Sequence, residues 1–202
     1  STAVIILGIG VLLIFVATIL NLGSPLLPIH ILWVNLITDS LPALALGMEP
    51  AEPDVMDCPP RDPRLPIFTR PLLFRVAYQG LMIAGLSLTA YLAGARVSPE
   101  TGHTMAFAVL AFSQLVHAFN VRSNTHSAFL RGKMNRWLIP AFLCGVVLQL
   151  CVLLVPFLQG LFHIATLTPA QWGLVALLGL MPLPIVEMFK SLGLTGESRT
   201  RR

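Results

Sequence analysis

Apolar residues fill this chain in long runs, and polar residues gather between the runs. A membrane-spanning helix requires about 20 mainly apolar residues. Six stretches approach that length, at about 2–22, 26–47, 72–95, 104–121, 137–158 and 171–192. The fourth is the shortest and the most polar. Proline marks several boundaries: Pro25 and Pro28 at the second stretch, Pro71 at the third, Pro169 at the sixth. Inside a helix, proline removes a backbone donor and crowds the carbonyl one turn earlier. Pro42 therefore predicts a kink or an unwound turn in the second stretch, and Pro182 and Pro184 predict the same in the sixth. No internal repeat is visible. The pattern predicts an all-α membrane protein, a bundle of six transmembrane helices forming one membrane domain over 1–202.

Composition agrees. Of the 202 residues, 55% are hydrophobic and 11% charged, against about 25% charged in a soluble domain. The mean hydropathy is +0.81. No charged segment precedes an apolar core with a small-residue cleavage site, so no secretory signal is expected. Ser1 already lies inside a hydrophobic run, and the chain is read as part of something longer. Cys58, Cys144 and Cys151 form no CxxC pair, and two of them lie in apolar runs, where cysteine acts as a small hydrophobe. The net charge of +4 comes from basic residues spread over loops, which speaks against a nucleic-acid partner. The lipid bilayer is the partner that the composition demands.

The basic residues also orient the chain. Arg61, Arg64, Arg70 and Arg75 lie in or beside the loop at 48–71. Arg122, Arg131, Lys133 and Arg136 lie in the loop at 122–136, and Lys190, Arg199, Arg201 and Arg202 in the tail. The opposite loops hold only Arg96, so twelve of thirteen basic residues face one side. The positive-inside rule makes that side the cytoplasm, with both termini on it. Trp33, Trp137 and Trp172 fall near span ends, where aromatic belts form. The loop "GMEPAEPDVMDCPPRDPRLPIFTR" stands apart. It is rich in proline and carries Glu49, Glu52, Asp54, Asp57 and Asp62. It is too long for a simple turn and too stiff for a free linker. Both a solvated charged loop and a docking surface for a soluble domain fit it.

Within the apolar stretches, "WVNLITDSLPALALG" is the anomaly. Asp39 in a span costs roughly 2.5–3.5 kcal/mol on insertion, so something must offset it. Asn35, Thr38 and Asp39 are spaced i, i+3 and i+4 and share one face of a helix. All three offer oxygen, the ligand type of hard cations such as Ca²⁺. Pro42 cannot donate to the Thr38 carbonyl, which frees a further oxygen. A protonated or hydrogen-bonded aspartate stands beside the cation site as the other reading. Gln114, His117 and Asn120 in the fourth stretch also fall near one face. Hydrogen bonding between helices accounts for His117, and the Gln114 carbonyl is an additional candidate ligand. Glu187 and Lys190 are spaced for an ion pair at a helix end. His30, His103, His126 and His163 lie at or near loop ends and form no metal motif.

These segments resemble a known family. "LWVNLITDSLPALALGMEPAEPDVMDCPPR" is similar to the sixth transmembrane helix and following loop of P-type calcium-transporting ATPases, above all the bacterial relatives of the sarcoplasmic-reticulum pump. "TMAFAVLAFSQLVHAFNVRS" resembles their eighth helix and "LTPAQWGLVALLGLMPLPIVEMFK" their tenth. The resemblance runs from about residue 15 to 192. It implies that the six spans are helices five to ten of a ten-helix membrane domain in a bacterial plasma membrane. It further implies Asn35 and Asp39 as metal ligands, Thr38 as an auxiliary one and Gln114 at a position where two-ion pumps carry glutamate. The loop with Glu52, Asp54 and Asp57 would couple to the phosphorylation domain. Ca²⁺ would be the transported ion, exported in exchange for protons. Mg²⁺ and ATP would act only through the actuator, phosphorylation and nucleotide domains, which this chain lacks along with the N-terminal helices; alone it would be inactive, with no catalytic residue. One departure stands out: Leu7 and Gly10 occupy the places of the family's fifth-helix Asn and Glu. With Gln114 also neutral, one cation per ATP is expected. Na⁺, H⁺ or Mn²⁺ on the same fold is the alternative, and a transporter or scaffold without ATP is the alternative of another class.

Cysteine introduced at 61 or 133 should resist a membrane-impermeant thiol reagent in intact cells and react once the membrane is opened. Ready labelling from outside would invert the topology.

Overall fold

The computed structural model describes residues 26–38, 40, 70–121 and 138–191. The first expected span, the loop at 122–136, nearly all of the loop at 48–71, the end of the second span and Asp39 lie outside them. The described residues are helical, with no strand among them.

Helix α1 covers Pro28–Trp33 and runs directly into a π-helical turn, Val34–Thr38. Helices α2, Arg70–Ala95, and α3, Pro99–Val121, form a hairpin. Helix α4 is Leu138–Leu154 and α5 is Pro156–Phe162. Helices α6, Pro169–Leu180, and α7, Pro182–Ser191, close the described chain. At 1.5 Å per residue, α2 and α3 are about 39 Å and 35 Å long, enough to cross a hydrocarbon core of about 30 Å. By length and apolar composition together, Pro169–Met188 is the one described helix that passes as a span; the bent pair Ile139–Leu154 with Pro156–Phe162 passes only when taken as one, and α2 and α3, though long enough, do not pass.

Helix α3 is the hub. It packs against α2, α4, α6, α7 and the π turn. From Met105 to Ala111 every side chain is buried. Surrounded in this way, α3 can carry polar residues that face other helices rather than lipid. Thr104, Ser113, Gln114 and His117 are all buried. The outside is the reverse. Leu81, Leu143, Val147, Leu177 and Leu180 are exposed, while Gln79, Ser87, Thr104 and Gln149 lie inside. Polar residues inside and leucine outside is the pattern of a protein whose solvent is lipid.

Local sequence sets the helix ends. The turn between α2 and α3 closes with Val97 N–H donating to the Gly94 carbonyl at 2.9 Å. Ser98 then caps α3: Thr101 N–H donates to Ser98 Oγ at 3.1 Å, with Pro99 in the first turn. Thr168 caps α6 reciprocally, Gln171 N–H reaching Thr168 Oγ1 at 3.4 Å and Thr168 N–H reaching Gln171 Oε1 at 2.7 Å. Pro169 follows at the first helical position, where a missing donor costs nothing.

Two proline breaks differ in outcome. At Pro182 the helix is interrupted only at Met181, and α6 and α7 continue as one span, as a tolerated proline in a membrane helix does. At Pro156 the chain turns by 84°. The fifth stretch therefore does not run straight from 137 to 158; its helix stops at Leu154. Gln159 makes the turn affordable in an apolar medium. Its Nε2 donates to the Leu153 carbonyl at 2.7 Å, a group that the broken helix leaves without a backbone donor.

The α2–α3 hairpin requires glycine where the backbones meet. A Cβ on Gly94 would lie 2.8 Å from Gly102 Cα and 2.8 Å from the Thr101 carbonyl oxygen. Gly94→Val should therefore lower the melting temperature of the detergent-purified protein, by the equivalent of about 1–3 kcal/mol. Gly85→Ala, with nothing within 4 Å of the added carbon, should leave it unchanged or raise it slightly. Equal melting temperatures for both variants would contradict the close approach.

Candidate functional site

The polar segment of the second stretch sits where its helix changes form. An α-helix holds as far as Trp33, and Val34–Thr38 then open into a π turn. The π form closes i→i+5 bonds and is wider than the α-helix; it marks functional positions more often than chance allows. The turn carries Asn35 and Thr38; Pro42 and the unwinding expected around it lie outside the described residues.

Asn35 lies within this turn, and its side chain is exposed. It forms no hydrogen bond with another described residue; its backbone carbonyl accepts from Ser40 Oγ at 3.5 Å. The side chain of Thr38 and all of Asp39 lie outside the described residues. So do Glu52, Asp54, Asp57 and the side chain of Asn120. Gln114 is on α3, only 8% exposed, and its Oε1 has no hydrogen-bond partner among the described residues. A buried amide oxygen without a donor is costly, about 1–3 kcal/mol, and is free to accept from or coordinate something else. The π turn packs against α3 and α4, so Asn35 and Gln114 belong to neighbouring elements. No hydrogen bond joins them.

Among the described residues no three of His, Cys, Asp or Glu come together as a metal cluster. The oxygen donors in view are neutral amides. Glu187, the acid near the end of the last stretch, is half-buried on α7.

Two features escape a reading of the sequence by motifs. His30 is completely buried, and Trp33 is tied to Gln149: its Nε1 donates to Gln149 Oε1 at 3.0 Å, across 116 residues of chain. Gln149 is the lone amide in the apolar run "LIPAFLCGVVLQLCVLL". The reasoning that singled out Asn35 and Gln114, a polar side chain inside a span, applies equally to Gln149. His30 gave no such signal, because its acceptor is a backbone carbonyl.

The family described as "Cation transporting ATPase, C-terminus" matches residues 23–192. Among curated relatives, "Calcium-transporting ATPase 1" of Bacillus cereus is 42% identical over 89% of this chain and 22% of its own length. "Calcium-transporting ATPase" of Bacillus subtilis is 41% identical over 90% of this chain and 21% of its own. A "Calcium-transporting ATPase" of Listeria monocytogenes is 35% identical, again over 90% of this chain and 21% of its own. The chain thus spans about a fifth of the length of the curated relatives it matches. It belongs to the cation-transporting P-type ATPases and corresponds to the C-terminal, membrane-embedded region of their calcium-transporting members.

Proposed function

We propose that this chain supplies part of the transport site of an ATP-driven pump, and that the ion is Ca²⁺. The observation that carries the reading is the coincidence of "VNLIT", the residues just before Asp39, with a π turn in an otherwise apolar stretch. Asn35 Oδ1 and the Asp39 carboxylate are the principal ligands, Thr38 is auxiliary, and the unpartnered Oε1 of Gln114 is a further oxygen. Ca²⁺ takes six to eight oxygens. These side chains cannot complete that shell, so the remaining ligands belong to the part of the pump that the relatives carry beyond this region. The exposed side chain of Asn35 suits a site closed from another direction.

In this mechanism ATP acts through the other domains of the full pump, with Mg²⁺, and this region alone hydrolyses nothing. Phosphorylation shifts the helices between a cytoplasm-facing state of high ion affinity and an outward state of low affinity. The loop with Glu52, Asp54 and Asp57 transmits the shift on the cytoplasmic side, in a plasma membrane with both termini inside. Asp39 is the only acid deep in a span, and Gly10 and Gln114 are neutral. One Ca²⁺ per ATP follows from that shortage of charge. The same shortage is what favours the second reading, a monovalent ion on the same fold.

In the full-length pump, Asp39→Asn should abolish ion-dependent phosphorylation from ATP while the protein still reaches the membrane in normal amount. Gln114→Ala should be far milder, raising the half-activating Ca²⁺ concentration by roughly fivefold, the scale of one neutral ligand. Tracer binding should give one Ca²⁺ per phosphoenzyme. Normal transport by Asp39→Asn would remove the site, two ions per phosphoenzyme would remove the stoichiometry, and activation by Na⁺ without Ca²⁺ would favour the monovalent reading.

A further inference from the structure

Helix α1, six residues long, runs without a break into the five-residue π turn and so delivers Asn35 to its place. A helical segment that short is marginal on its own. Its position must come from the contacts it makes with the rest of the fold, and two side chains make the specific ones.

His30 is the first. Its ring stacks on Phe107 of α3, centroids 4.4 Å apart and planes 19° apart. Its Nε2 donates to the Phe162 carbonyl at 2.7 Å, and its Nδ1 accepts from Leu27 N–H at 3.4 Å. One nitrogen donates and the other accepts, so the ring is neutral with its hydrogen on Nε2. The acceptor is not incidental. Phe162 is the last residue of α5, and His163 after it turns left-handed, with φ of 53°. The Phe162 carbonyl is one of the four that a helix end leaves unpaired. His30 therefore satisfies an orphan carbonyl of α5 with its own buried donor.

Trp33 is the second, one turn further along the same face. Its Nε1 bonds Gln149 of α4, and its ring meets Phe162 edge-on at 5.2 Å and 83°. Together the two side chains pin α1 to both arms of the right-angle bend at Pro156, immediately before the π turn opens.

We propose that His30 and Trp33 are positioning residues of the transport site: they fix the depth and rotation of the Val34–Thr38 turn and so aim Asn35. The proposal rests on Asn35 being an ion ligand. A ligand set works only within about 0.5 Å of its productive geometry. A six-residue helix freed from either pin can roll or slide by more than that. A role confined to folding would lower yield and thermal stability without touching ion affinity. A positioning role lowers ion affinity and leaves turnover at saturating ion largely intact.

The test uses the full-length pump in membranes, with Ca²⁺ as the probe and ATP-driven phosphorylation as the readout. His30→Phe keeps the stack on Phe107 and removes both hydrogen bonds. It should raise the half-activating Ca²⁺ concentration about five- to tenfold, with the maximal rate within about twofold of the parent. His30→Gln retains an N–H donor and should recover most of the lost affinity. Trp33→Phe keeps the edge contact, loses the bond to Gln149, and should cost about threefold in affinity. If His30→Phe fails to accumulate, Trp33→Phe decides the matter alone. Unchanged Ca²⁺ activation in these variants, with Asp39→Asn inactive, overturns the positioning role and leaves the ion site standing. Normal transport by Asp39→Asn overturns the ion site itself.

Discussion

A hydrocarbon interior forms no hydrogen bonds, and each polar group that enters it must find its partner within the protein. Most of what is specific to this fold follows from that constraint. It makes the chain helical wherever it crosses the membrane. It leaves leucine and valine on the surface and keeps polar side chains such as Gln79, Ser87 and Gln149 inside, among a largely apolar core. It also sets the terms on which a helix can break. At Pro156 the break is acceptable because Gln159 returns to the Leu153 carbonyl. Six residues on, where α5 ends, His30 reaches over to the Phe162 carbonyl. Without those two donors each of these carbonyls would lack its side-chain partner, at about 1–3 kcal/mol each.

The same constraint decides where polarity can be stored. Helix α3 is surrounded by α2, α4, α6, α7 and the π turn. It can carry Thr104, Ser113 and Gln114 without showing them to lipid. Thr104 illustrates the use made of this: its hydroxyl donates to the Glu100 carbonyl at 2.9 Å and accepts from Ala165 N–H at 2.9 Å, joining α3 to the segment before α6. The close crossing at Gly94 and Gly102 serves α3 as well. Small residues let two helices approach until their backbones touch, which is how membrane helices gain packing energy without a hydrophobic drive.

Much of this was legible in the sequence, and the limits have physical reasons. The apolar runs expected at 72–95 and 104–121 fall within α2 and α3, although neither helix is apolar enough to pass as a span. Pro182 announced an interruption that occurred, at Met181; Pro42 lies outside the described residues. The right angle at Pro156 was not foreseen. Proline alone does not say whether a helix kinks or turns; that depends on whether a donor such as Gln159 is placed to cover the freed carbonyl. Asn35 and Gln114 stood out as polar residues in apolar runs. The spacing placed Asn35 on a shared helical face, but a π turn changes the register, and that change is invisible to a rule with a fixed period. The pairing of Trp33 with Gln149 and of His30 with Phe162 joins residues more than a hundred positions apart. No local pattern encodes such contacts.

An ion pump in lipid faces a conflict between affinity and insertion. Each carboxylate in a span attracts a divalent cation strongly, and each costs roughly 2.5–3.5 kcal/mol when the helix enters the membrane. An amide oxygen coordinates more weakly, but it is neutral and carries no comparable charge-burial cost. In the proposed site Asp39 is the one acid, and the other oxygens come from amides and hydroxyls. Such a choice shifts the burden from charge to geometry. Neutral oxygens bind a cation only when several converge at the right distance, so the elements that carry them must be held rigidly. The described residues answer that demand with side-chain pins at His30 and Trp33 and with the packing of α3 around Gln114. A site poor in charge needs a scaffold rich in specific contacts, and in this protein those contacts concentrate on the short helix that leads into the polar turn.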